Sequence, residues 1–166
     1  IMTTTGFTTT NFEVWHLTLP VTAAILFTLF FIGGSCGSTG GGIKCVRVWL
    51  LLKMAYREIY QLVHPHAVAQ IRHNSKVVPE YILRSIVGFV VFYLLLFVIG
   101  GTVLTANGYD LISSFSASIS CLSNVGPAFV KFGAYENYEH LQGTGKLTLI
   151  FLMLMGRLEI YTIIIM

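Results

Sequence analysis

The sequence predicts an all-α integral membrane protein, and three observations carry that expectation. The 166 residues are 55% hydrophobic and only 10% charged, with a mean hydropathy of +0.77, whereas soluble domains average about 25% charged residues. Ile86 to Leu104 supplies 19 consecutive residues without a charge, close to the roughly 20 that one crossing requires. An uncharged run from Leu17 to Ile32 then leads directly into Gly33-Gly34-Ser35-Cys36-Gly37-Ser38-Thr39-Gly40-Gly41-Gly42, six glycines in ten residues. Unpaired backbone in lipid costs several kcal/mol per group, so a break at membrane depth survives only where it is buried in protein or faces a water-filled cavity. The glycine run therefore points to a pore or a transport pathway.

Taken in order, the first crossing, Leu17 to Tyr56, is expected as a helix broken at the glycine run. Between Lys44 and Arg84 lie seven basic residues (Lys44, Arg47, Lys53, Arg57, Arg72, Lys76, Arg84) against Glu58 and Glu80. The flanking segments 1–16 and 105–146 hold two lysines against Glu13, Asp110, Glu136 and Glu139. The positive-inside rule puts 44–84 in the cytoplasm and the flanking segments outside. A basic linker of this kind is expected near anionic headgroups or a cytoplasmic partner. His64-Pro65-His66 within it lacks a third ligand nearby, so no metal site is expected there.

Ile86–Leu104 is the second crossing. In the outer segment, Tyr109 to Leu122 is apolar and helix-compatible but only 14 residues long, too short to span and suited to a re-entrant helix. Its serines (113, 114, 116, 118, 120) fit packing against protein rather than lipid. Gly126-Pro127 turns the chain back, and Leu147–Met166 forms the last crossing, interrupted by Arg157 and Glu159. Span, short re-entrant helix, turn, span is the unit of a pore-loop channel. The chain opens without the basic and apolar regions of a signal peptide and ends inside an apolar run, so it is expected to be a piece of a longer chain. Cys36, Cys45 and Cys121 form no CxxC and no disulfide framework.

Two short strings have the chemistry of a selectivity filter: Thr3-Thr4-Thr5-Gly6-Phe7 and Ser123-Asn124-Val125-Gly126-Pro127. A filter needs extended backbone with carbonyls aimed at one axis, small or hydroxyl side chains, and a glycine for dihedrals that other residues adopt only at a cost. With Gly6 and Gly126 taken as equivalent, an apolar helix follows each string and meets another glycine at similar distance, Gly34 after 28 residues and Gly156 after 30. Just beyond, the copies diverge into the glycine run in one and Arg157-Leu158-Glu159 in the other. Arg157 is the eleventh residue of its 20-residue run, where an arginine costs about 2.5–3.5 kcal/mol on insertion scales. Glu159 points to another helix face. The carbonyls and hydroxyls of the glycine run, at similar depth, are the expected partners for its five donors.

These strings, with Gly33 to Arg47 and Gly156-Arg157-Leu158-Glu159-Ile160, resemble the Trk/Ktr/HKT superfamily of potassium-translocating membrane proteins, its bacterial TrkH/TrkG-type pore subunits most of all. The resemblance covers the whole chain in the family's order and spacing. It implies four span, pore-loop, span units around one pseudosymmetric pore. Residues 1–56 would be the end of the third unit, 57–80 a cytoplasmic linker, and 81–166 the fourth unit. It further implies a potassium filter at Thr3, Thr4, Thr5, Gly6, Ser123, Asn124, Val125 and Gly126. An intramembrane gate loop is implied at Gly33, Gly34, Gly37, Gly40, Gly41 and Gly42, contacted by Arg157. Potassium is then the substrate, and no covalent cofactor and no nucleic-acid partner are expected. The expected setting is a homodimer in the lipid of the bacterial inner membrane, docked by a cytoplasmic nucleotide-sensing regulatory subunit of the TrkA type. The competing reading is an ion-coupled secondary transporter binding an organic solute at a broken helix. It leaves the two filter-like strings unexplained. An enzyme is not expected, since the glycine run lacks the Gly-Lys-Ser/Thr of a phosphate-binding loop.

Overall fold

The computed structural model describes residues 3–8, 20–35, 38, 40–64, 70–73 and 76–157. The chain is mostly helical: α1 Pro20–Ile32, α2 Cys45–Val63, α3 Glu80–Ala106, α4 Leu111–Leu122 and α5 Gly143–Arg157, with a 3₁₀ turn at Val130–Phe132. A two-stranded antiparallel ribbon, β1 Arg72–His73 and β2 Lys76–Val77, pairs Arg72 with Val77 and His73 with Lys76. The ribbon was not expected from the sequence, and α2 runs on through Tyr56 to Val63, so residues 57–63 are helical.

Among the described residues α3 alone is long and apolar enough to cross a membrane. Its buried positions Leu83, Ile86, Phe89, Tyr93, Leu96, Gly100 and Leu104 recur at three- and four-residue steps, one helical face. That face packs on α4 and α5. Lipid is as apolar as leucine, so close packing rather than transfer from water holds such helices together, and small residues permit it. At Gly100 a Cβ would meet Leu152 of α5 and lie 2.5 Å from the Ser118 hydroxyl of α4. At Gly101 a Cβ would lie 2.6 Å from the Phe115 ring.

The short helix α4 sits at the centre. Asp110 caps it, accepting the Ile112 N–H at 3.2 Å, and all five of its serines are fully buried. Burial of a hydroxyl is tolerable when it is hydrogen-bonded. Ser116 donates to the Ser113 carbonyl (3.1 Å), Ser118 to Phe97 of α3 (2.9 Å) and Ser120 to Pro127 (2.7 Å). Ser113 and Ser114 have no hydroxyl partner among the described residues. A second, smaller core of Leu50, Ile71, Leu83 and Ile86 joins α2, the ribbon and the start of α3, where Lys53 donates to the Arg72 carbonyl at 2.8 Å.

Candidate functional site

Helix α1 ends at Ile32, and the chain doubles back on itself. Gly33 adopts φ +61°, and the Ile43 N–H donates to the Phe31 carbonyl (3.0 Å) while the Cys45 N–H donates to Gly34 (3.1 Å). These two bonds close the neck of the glycine loop and satisfy carbonyls left over at the end of α1. At the neck a Cβ on Gly33 would strike the Gly41 carbonyl, and one on Gly42 (φ +80°) would lie 2.9 Å from the Gly33 Cα. Glycine is required there by the close approach of backbone to backbone as well as by φ. Ser38 closes a tight turn by its N–H and hydroxyl, both donating to Ser35 O, at 3.1 and 2.8 Å. Gly37 lies outside the described residues.

The two filter-like strings adopt the same backbone pattern. Thr4 and Gly6 have φ +52° and +78°; Asn124 and Gly126 have φ +55° and +107°. Positive φ thus falls at matching positions of the two strings, with the residue between them, Thr5 or Val125, outside that region. The strings also meet: a Cβ on Gly6 would lie 2.6 Å from the Val125 carbonyl. Thr3 and Thr5 share a hydroxyl hydrogen bond of 2.8 Å.

The glycine loop touches both strings. The Gly41 N–H donates to the Thr4 hydroxyl at 3.2 Å, and a Cβ on Gly41 would overlap the Ser123 carbonyl. Gly40 lies beside the Thr4 hydroxyl. On the other side of the loop a cavity of about 200 Å³ is lined by Ser38, Gly40, Gly41, Gly42, Lys44, Phe89, Gly156 and Arg157. Arg157, the last described residue of α5, lines the same cavity as the loop; Glu159 lies outside the described residues. Gly156 is needed for a steric reason, since a Cβ there would overlap the Leu122 carbonyl.

Ser123 to Gly126 were expected from the sequence as filter residues, but the contacts that hold them, and the roles of Tyr93 and Tyr138, were not. Ser123 is fully buried, and its hydroxyl donates to the Phe30 carbonyl of α1 at 2.6 Å while lying 2.6 Å from the Tyr93 hydroxyl of α3. The Asn124 amide donates to the Met153 carbonyl of α5 at 3.2 Å. Tyr138 donates to the Gly126 carbonyl at 2.8 Å, and its ring stacks on Phe132 at 4.9 Å. Val125 is buried, and its N–H donates to the Ser120 carbonyl at 2.9 Å. These contacts join residues 12 to 93 positions apart or follow an irregular turn, so no helical or strand period marks them. Near the start of α2, the Arg47 guanidinium stacks over Phe89 at 4.2 Å, a cation–π contact that brings α2 against α3. No cluster of three or more His, Cys, Asp or Glu that could hold a metal occurs among the described residues.

The family model for TrkH, "Cation transport protein", matches residues 1–166. The chain belongs to the TrkH family. Among TrkH-family relatives, the Trk system potassium uptake protein TrkH of Escherichia coli K12 is 40% identical over 164 residues, 99% of this chain and 33% of that protein. The TrkG protein of the same organism is 36% identical over the whole chain, again 33% of its length. The crystal structure of the potassium transporter TrkH from Vibrio parahaemolyticus superposes with a TM-score of 0.84 at 42% identity, covering 99% of this chain and 34% of that one. The chain thus spans about a third of the length of the TrkH-family proteins it matches. Members of this family are membrane transporters, not enzymes.

Proposed function

We propose that this chain is the part of a potassium-translocating pore that holds two of its filter strings and its gate. The carrying observation is the shared φ pattern of residues 3–6 and 123–126, brought together with the glycine loop packed against both. Potassium is a substrate here. It would shed water onto the carbonyls of Thr3, Thr4, Thr5, Ser123, Asn124 and Val125, hard oxygen donors that need no side-chain charge. The names and fold of the relatives favour potassium as the ion. Helix α4, 12 residues long and buried at Ser113, Ser114 and from Ser116 to Leu122, serves as the re-entrant helix of a span, pore-loop, span unit, and four such units would surround the pore. Residues 1–56 then end the third unit, 57–80 link on the cytoplasmic side, and 81–166 form the fourth.

The glycine loop is the gate on this reading. Its backbone lies directly on the Ser123 carbonyl, so an ion leaving that position meets the loop. Arg157 supplies a positive charge at the same cavity and holds the loop in place. The homodimer, the inner-membrane setting and a cytoplasmic nucleotide-sensing subunit of the TrkA type belong to the same proposal; the basic residues from Lys44 to Arg84 are the surface such a subunit would use. The test is initial-rate rubidium uptake by the complete transporter in cells lacking other potassium uptake. Arg157→Ala should raise uptake, and an unchanged rate at normal protein level removes Arg157 from the gate. Saturable uptake of an organic solute instead of rubidium would replace the pore with a coupled transporter.

A further inference from the structure

Tyr93 lies in the middle of α3, 1% exposed, with no place in the filter or the gate as described. Its hydroxyl is 2.6 Å from the Ser123 hydroxyl, which in turn is 2.6 Å from the Phe30 carbonyl. The chemistry fixes the direction of this chain. A carbonyl only accepts, so the single Ser123 proton goes to Phe30, and Tyr93 must then be the donor to Ser123. The order is Tyr93 O–H to Ser123 Oγ–H to Phe30 O=C. All three residues are buried, so water cannot substitute for a missing member.

Phe30 falls in the last turn of α1, where carbonyls run out of in-helix donors, three residues before the break at Gly33. The helix break therefore exposes the acceptor to which the Ser123 side chain is anchored. Phe31 and Phe89 hold the Tyr93 ring, with centroids 6.5 and 6.0 Å away, which aims the phenol without using its oxygen. The Ser123 carbonyl is the filter atom that packs on Gly41. Whatever sets the Ser123 side chain sets that carbonyl too.

We propose that Tyr93 is a positioning residue for ion discrimination. Through Ser123 it fixes how far the innermost filter carbonyl stands from the pore axis, and so how well the site distinguishes potassium from the smaller sodium ion. This inference rests on the filter reading of residues 123–126. Whether selectivity arises from cavity size or from the field of the carbonyls, it depends on where they are held.

The experiment measures the ratio of rubidium to sodium uptake by the complete transporter. Tyr93→Phe keeps the ring contacts and removes only the donor. Loss of one hydrogen bond corresponds to roughly a two- to tenfold change in an equilibrium, so the ratio should fall about two- to tenfold. Ser123→Ala should lower the ratio similarly, Ser123→Thr should restore it by returning a hydroxyl, and the Tyr93→Phe, Ser123→Ala double variant should be no worse than either alone. An unchanged ratio in Tyr93→Phe at normal protein level overturns the proposal. If that variant fails to assemble, equal ratios in Ser123→Ala and Ser123→Thr overturn it. Gly126→Ala separates the two levels of inference. With φ +107° at that position, alanine must distort the string. A changed ratio there with no change in Tyr93→Phe leaves the filter standing and removes Tyr93 alone, whereas no change in either removes the filter reading itself.

Discussion

Gly41→Ala is the substitution that most directly separates loop from filter. Gly41 does not adopt a left-handed φ, so alanine meets no backbone penalty and the perturbation is purely steric. The added Cβ would overlap the Ser123 carbonyl oxygen, and either the loop or the filter string must give. The filter string is held by two buried hydrogen bonds of 2.6 Å at Ser123 and by the Asn124 bond to Met153. Among the described residues the loop meets the filter string through a partly buried bond of 3.2 Å from Gly41 to Thr4, with a cavity of about 200 Å³ beside it. The loop is the softer partner and moves away from the filter. Overpacking costs typically about 1–3 kcal/mol, which corresponds to roughly a 5- to 150-fold change in the balance between the loop packed on the filter and the loop withdrawn. Rubidium uptake should rise several-fold, up to the point where the packed state no longer limits flux. The assay is initial-rate uptake by the complete transporter, normalised to protein in the membrane. Uptake that falls or stays level, with normal protein level, refutes the assignment of the soft element and with it the gate.

Two further expectations concern the supports of the site. Burial first, and the Cys121 thiol beside it second, push the Tyr138 phenol up from its ordinary value near 10, so the donor to the Gly126 carbonyl stays protonated at neutral pH. A folded-state value raised above the unfolded one contributes stability in full below about pH 10 and loses it as pH rises further. Tyr138→Phe should therefore lower thermal stability in detergent at pH 7, by the about 0.5–1.5 kcal/mol of one hydrogen bond, with a difference that shrinks above pH 10; a constant difference to pH 11 would contradict it. Gly100→Val forces a branched side chain onto Leu152 and Ser118, an overpacking cost of about 1–3 kcal/mol. Its melting temperature in detergent should drop clearly, and an unaltered melt would show that α3 does not approach α4 and α5 as closely as described.

Much of this was legible in the sequence because lipid leaves a polypeptide few options. Charge-free length marks α3, a run too short to cross marks α4, and a glycine run inside an apolar stretch marks the break after Ile32. The equivalence of Gly6 and Gly126 was drawn from spacing alone; Thr4, Gly6, Asn124 and Gly126 all have positive φ. The ribbon at 72–77 escaped notice because two-residue strands carry no periodicity. The extension of α2 through Val63 escaped it because a polar, amphipathic helix reads as a linker by composition.

What the sequence determined by itself is the main apolar helices, the break after Ile32 and the residue types a pore would need, since helix length and glycine placement are local consequences of covalent chemistry and solvent. Only the tertiary structure decided which groups meet. It put Gly41 on the Ser123 carbonyl, Gly6 on Val125, Arg157 at the loop's cavity, and Tyr93 behind Ser123. Those contacts depend on how far apart three helices lie, to within an ångström. That distance is set by glycines such as Gly100 and Gly156 and by hydroxyls finding the carbonyls that a broken helix leaves open, and no pattern along the chain records it.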